Sequence, residues 1–255
     1  APAFTWRPTA DTSLTLLASY QRDDITGSPL NYVPAYGSVL ANPNGEIARD
    51  LYTGEPTFDD WRRTSKSIGY LFEHRFDDTW TVRQNARYLH NDLTFKTVYP
   101  TALAANGRTL SRSAFTAQEG SDAVAIDNQA QAKFATGPLR HTVLAGLDYG
   151  RVRSDTLRGL AAAPTLDMFA PVYGRRIADP PIYQSIASRT SQTGVYLQDQ
   201  IKAGGWNLLL GGRRDWAQSK SRNRLTGATQ SQQDQAFTGR AGLLYLFDNG
   251  LAPYV

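Results

Sequence analysis

Residues Arg189 to Arg222 read RTSQTGVYLQDQIKAGGWNLLLGGRRDWAQSKSR. The glycine pair after Ala203, Gly204-Gly205, is a two-residue hairpin signal, so the stretch predicts two long antiparallel arms. On the second arm Trp206, Leu208, Leu210 and Trp216 share one parity, and Asn207, Gly211, Arg213 and Asp215 share the other. Side chains along a strand alternate between its two faces. One face is therefore apolar with a tryptophan towards each end, and the other carries charge. A soluble sandwich buries such an apolar face. A membrane barrel turns it to lipid and encloses the charged one.

Composition narrows the choice. The 255 residues could form one large domain or two small ones. Mean hydropathy is −0.43 and no apolar run reaches the roughly 18 residues of a membrane helix. A barrel strand needs only about 9–11 alternating residues, so the membrane stays open as an environment. The 13 Tyr and 5 Trp suit interfacial belts, having an apolar body and a polar edge. The balance of 27 basic and 23 acidic residues is mixed, without a basic run, and argues for no nucleic-acid partner. There is no cysteine and hence no disulfide framework. The chain opens APAFTWRP and closes LAPYV inside an apolar-aromatic pattern, so both ends read as cuts.

The alternation recurs along the chain. Phe4 and Trp6 close a short first strand, and Leu14, Leu16, Ala18 and Tyr20 form the apolar face of a second, with Leu17 intruding on its polar face. Ile68, Tyr70, Phe72, His74 and Phe76 follow, then Trp80, Val82, Ala86 and Tyr88, where Gln84 interrupts the apolar parity. Val124 to Phe134, Val143 to Tyr149 and Phe237 to Phe247 repeat the pattern. Short turns fall at 8–12, 77–79, 137–140, 203–205 and 248–250, the last an Asn-Gly pair suited to a type I′ turn. Long loops are expected at 24–63, 98–121, 156–188 and 224–234. Short and long connections alternate strictly. About ten consecutive antiparallel strands thus put every short turn at one end, as in an outer-membrane barrel. Phe4, Trp6, Phe76, Trp80, Phe134, Trp206 and Phe247 lie near the short turns; Tyr20, Tyr88, Tyr149, Trp216 and Phe237 lie towards the loops. Two belts match two membrane interfaces. The fold class is all-β, an antiparallel transmembrane β-barrel; a large soluble sandwich or solenoid is the alternative.

The ordered set of segments resembles TonB-dependent siderophore receptors, in particular the ferrichrome-type hydroxamate receptors. The segments are FTWRP (4–8), ITGSPLNYVPAYG (25–37), HRFDDTWTVRQNARY (74–88), KFATG (133–137), HTVLAGLDY (141–149), TGVYLQDQ (193–200), LGGRRDWA (210–217) and YLFDNGLAPY (245–254). The resemblance implies a 22-stranded barrel filled by an N-terminal plug, of which residues 1–255 are a middle section without plug or barrel ends. It implies uptake of a ferric siderophore across the outer membrane of a Gram-negative bacterium, driven by TonB–ExbB–ExbD acting through the plug. Iron arrives chelated, so neither a cofactor nor a protein metal site is implied. A passive porin is the runner-up.

The same resemblance assigns Tyr32, before Val33-Pro34, and Tyr99 to the ligand at the external mouth, with Phe169 in the third loop beside them. Thr101 and Leu160 replace two further aromatics of the family, and its second-loop disulfide is missing. Arg83, Arg87, Arg213, Asp215 and Arg240 are expected to face the lumen, as are Glu73, Arg75, Asp127 and Lys133, mostly as a mutually neutralising network. His74, His90 and His141 lack metal-ligand spacing. No G-x-S-x-G, phosphate loop or dinucleotide fingerprint is present, which leaves no enzyme motif.

Overall fold

The computed structural model describes residues 1–28 and 30–255. Nine strands follow one another: β1 (Ala3–Thr9), β2 (Thr12–Thr26), β3 (Asp60–Arg75), β4 (Trp80–Leu103), β5 (Thr109–Thr136), β6 (Leu139–Asp167), β7 (Ile182–Ala203), β8 (Trp206–Asn223) and β9 (Thr229–Tyr245). They form one antiparallel sheet in chain order. Every strand pairs with its sequence neighbours, and β1 does not pair with β9, so the sheet is open. Nine strands form where about ten are expected, and the residues after β9 make only a bridge to it. Val255 exchanges two 3.0 Å backbone hydrogen bonds with Leu243, beside an isolated bridge from Leu244 to Tyr254.

The turns between paired ends are tight. Gly137-Pro138 and Gly204-Gly205 are two-residue links with φ of 62° and 56° at the first glycine. Positive φ followed by negative φ is the pattern of a type II′ turn, whose twist suits the strands. The Asn249-Gly250 turn differs from expectation. Asn249 keeps a negative φ, Gly250 has φ 86°, and the Gly250 amide donates to the Phe247 carbonyl at 3.0 Å. That is a type I turn closed by a left-handed glycine, a three-residue link.

The other end departs further from the sequence reading. The expected loops at 98–121 and 224–234 shrink to residues 104–108 and 224–228, because β4, β5, β8 and β9 run on. The third loop begins only after Asp167, and the first occupies 27–59. β5 has 28 residues and β6 has 29, whereas about ten cross a bilayer. Above the membrane both faces meet water, so apolar alternation vanishes while the backbone ladder continues. Asn91-Asp92 and Gln118 to Ser121 are such stretches.

The register assigns the faces. Trp6, Leu14, Phe72, Gln84, Asn128, Leu147, Val195, Arg214 and Phe237 lie opposite one another across the whole sheet. This is the belt face, with Trp80 and Trp206 near the short turns and Tyr88, Tyr149 and Trp216 ten or so residues above. From Trp206 to Trp216 is about 33 Å along the strand, or roughly 24 Å at the usual tilt, close to the height of a barrel's apolar band.

Gln84, the exception on this face, now has a physical account. Tyr70 donates to Gln84 Oε1 at 2.5 Å, Gln84 Nε2 donates to Asn128 Oδ1 at 2.6 Å, and Asn128 Nδ2 reaches the Leu147 carbonyl at 3.3 Å. Midway between the belts, three polar side chains satisfy one another across three strands where lipid could not. Breaking the chain at one link strands a donor in hydrocarbon. Asn128→Leu should therefore cost about 1–3 kcal/mol, and Tyr70→Phe/Gln84→Leu/Asn128→Leu, which removes every member, should recover most of it. Heat-dependent gel migration of the barrel in detergent reads both; equal losses in single and triple variants would refute the ladder.

Candidate functional site

Opposite the belts lies the inner face. The register places all of Arg83, Arg87, Arg213, Asp215 and Arg240 on it. Glu73, Arg75, Asp127 and Lys133 share it. Arg213 sits between two carboxylates, Asp148 at 2.6 Å and Asp215 at 2.7 Å. Arg83 Nε donates to Glu73 at 2.5 Å and its Nη1 to Gln131 at 2.9 Å. Arg240 reaches Gln198. Tyr196 lies across Gly146, where a side chain would project, and donates to Asp127 at 2.9 Å. These half-exposed pairs neutralise one another and make a polar, water-compatible wall. Leu17 and Leu71, diagonal neighbours in the register, break it locally.

The histidines sit on the belt face. His141 stands between Asp199 (2.7 Å) and Thr136 (2.8 Å) and stacks on Phe134, and His74 bonds Thr12 at 2.8 Å. His90 lies between Asp122 (2.9 Å) and Asp92 (2.6 Å) just above Tyr88. Among the described residues no group of three or more metal-ligating side chains forms.

Above the membrane the loops at 27–59 and 168–181 fold onto the extended strands around one buried ion pair. Glu55 and Arg112 have fully buried side chains, with Glu55 Oε2 and Arg112 Nη2 3.6 Å apart. The rest of each group is hydrogen-bonded. Arg112 donates to the carbonyls of Pro164 (2.7 Å), Gly54 (2.6 Å) and Thr53 (3.3 Å), and Glu55 Oε1 accepts the Gly174 amide at 2.7 Å. Asp59 accepts the Tyr52 hydroxyl at 2.5 Å and the Glu55 and Val98 amides at 2.7 and 2.5 Å. Burial holds the Asp59 carboxyl above its ordinary range despite those donors, and burial with the Asp59 bond pushes the Tyr52 hydroxyl up as well. Two apolar clusters flank the pair: Ile47, Leu51, Leu110, Leu166 and Met168, and Phe58, Val98 and Ala114.

The three expected ligand aromatics therefore have unlike settings. Tyr99 is on the inner face of β4, opposite Ser113 and half-buried. Tyr32 is 54% exposed on the first loop, whose position Thr53 fixes by donating to the Tyr32 carbonyl at 3.0 Å. Phe169 packs into the first apolar cluster with the Arg108 guanidinium 5.6 Å from its ring centre. Among the described residues no ring pair joins the three. The sequence reading missed inner-face aromatics at the same height, namely Trp61, Phe95 and Phe115. Trp61 and Phe115 fall in the segments expected as loops; carrying the parity of Ser65 back to residue 61 and that of Arg83 on to residue 95 finds the first two.

A two-faced antiparallel sheet with lipid belts outside, a neutralised polar wall inside and aromatics at its tall end defines a section of a transmembrane receptor barrel. Residues 5–255 match the family model "TonB dependent receptor-like, beta-barrel", and the chain belongs to that family. It is 36% identical over 280 residues to the "Ferrichrome outer membrane transporter/phage receptor" of Escherichia coli K12, across 100% of this chain and 37% of that protein. It is 37% identical over 254 residues to the "Ferrioxamine B receptor" of Salmonella typhimurium SL1344, across 100% of this chain and 36% of the relative. The chain thus spans little more than a third of these relatives. Among solved structures, it superposes on the ferric-catecholate import receptor Fiu of E. coli K12 with TM-score 0.77, at 18% identity, covering 99% of this chain and 41% of the other. The ferripyoverdine receptor of Pseudomonas aeruginosa gives 0.79 at 18% identity, covering 99% and 34%. These structures share the fold.

The ion pair makes a sharp prediction. Glu55→Leu leaves a buried guanidinium uncompensated and should cost about 3–5 kcal/mol of loop docking. Limited proteolysis should then cut within 27–59, and Glu55→Leu/Arg112→Met should resist cleavage again. Cleavage unchanged in the single variant would show that the pair does not anchor the loop.

Proposed function

We propose that this chain is a middle section of a larger, 22-stranded receptor barrel that takes up ferric siderophores of the hydroxamate type. The observation that carries this is the identity to a ferrichrome transporter and a ferrioxamine B receptor along the whole chain, 36% and 37%. It favours the receptor over the passive porin. The family is one of transporters and receptors, and the chain lies in the outer membrane of a Gram-negative cell. Strands outside residues 1–255 close the sheet at β1 and β9, since free edges cannot face lipid. A plug inside the barrel gates it and carries the pull of TonB–ExbB–ExbD. Iron is cargo within its chelate.

In this reading Tyr99 and Tyr32 contact the chelate at the mouth, where aromatic faces cradle a compact, weakly charged complex. Phe169 acts one step removed, by holding the third loop in place. Arg83, Arg87, Arg213, Asp215 and Arg240 line the path and meet the plug. Ferrichrome binding to the complete receptor in detergent tests the reading. Tyr99→Ala should weaken affinity about tenfold, Tyr32→Ala by less, and Phe169→Ala should change loop proteolysis more than affinity. Failure of the parent receptor to bind ferrichrome or a ferrioxamine, with open-channel conductance in its place, would return the porin.

A further inference from the structure

On the inner face of the tall end the register gathers a cluster of aromatic rings. Ile25, Trp61, Phe95 and Ala117 lie in one row, and Thr97, Phe115 and Leu160 lie in the row above it. Tyr99 occupies the next row up. The rings form a ladder across three strands, Trp61 to Phe95 at 4.9 Å between centres and Phe95 to Phe115 at 5.9 Å. Ile25 and Leu160 at its two ends are 43% and 42% exposed. Trp61 is also the sole tryptophan on this face, since Trp6, Trp80, Trp206 and Trp216 have belt parity.

The charges that frame the patch are cancelled. Arg158 Nε donates to Glu119 at 2.9 Å, and Arg63 Nε to Asp23 at 2.8 Å. The patch therefore offers aromatic faces without net charge, a match for a neutral chelate and a poor match for a polyanion. The three rings are half-buried, with Ala117 and Thr97 buried beneath them, and a half-exposed row of rings on a polar wall marks a contact surface.

We infer that Trp61, Phe95 and Phe115 form a second contact for the chelate, one to two rows inside Tyr99, on which it stacks as it leaves the mouth for the lumen. The inference rests on the hydroxamate reading proposed above. The complete receptor, purified in detergent, is titrated with ferrichrome, and bound iron is counted after ultrafiltration. Trp61→Leu and Phe115→Leu keep apolar bulk and remove the aromatic face. Each should raise the Kd about tenfold, with Trp61→Phe within about twofold of the parent. Heat-dependent gel migration identifies any variant that fails to fold, and Phe95→Leu then takes its place. Parent-like affinity in the folded leucine variants overturns the inference while leaving the receptor reading intact. So does lost uptake in cells with unchanged binding, which assigns the patch to the domain inside the barrel. A parent receptor that binds neither ferrichrome nor a ferrioxamine refutes the hydroxamate reading itself, and this contact with it.

Discussion

Hydrocarbon gives a backbone amide no partner, and that constraint shapes everything between the two aromatic belts. Each peptide must find its hydrogen bond in a neighbouring strand. The nine strands answer it with an antiparallel ladder in chain order. Once the ladder is fixed, the two-residue alternation of side chains becomes a division between solvents: lipid on one face and water on the other. Where a polar side chain falls on the lipid side, as at Tyr70, Gln84 and Asn128, it is hydrogen-bonded to another.

Beyond the belts the constraint relaxes and a different one takes over. β4 to β6 run well past the membrane, and their upper ends need support that lipid no longer supplies. It comes from two loops folded down on a buried Glu55–Arg112 pair, whose side chains are fully shielded and nearly saturated with backbone partners. Such a pair is a weak source of net stability but a strong specifier of position, because either partner left alone is costly. Tall strands and anchored loops together raise a walled mouth. Its inner side carries Tyr99 and the ring ladder above the neutralised wall of Arg83 and Arg213.

The membrane part of this architecture was legible in the sequence because the bilayer enforces a period of two with aromatics at both limits. Trp206 to Trp216 alone revealed the face, the span and the hairpin. The tall end was not legible. With water on both faces, nothing forces Asn91 or Gln118 to alternate, and prolines and glycines nearby read as loop although the ladder persists. The parity of Arg83, Arg213 and Arg240 could be read directly. The convergence of Glu55 with Arg112, 57 positions apart by their numbers, could not, since neither residue lies in a pattern. Phe169 shows the same limit: it is expected at the ligand, and only the fold shows it packed against loop and strand side chains, Ile47, Leu51, Leu110, Leu166 and Met168.

The central claim is the division of faces, and β8 holds no cysteine of its own, so each of its positions can take one in turn. Single cysteines placed in turn from 206 to 216 in the complete receptor, spin-labelled in lipid bilayers, report collision with oxygen or with a water-soluble nickel chelate. Even positions should favour oxygen and odd positions nickel, alternating through the whole span. The opposite parity, or no alternation, would contradict the account.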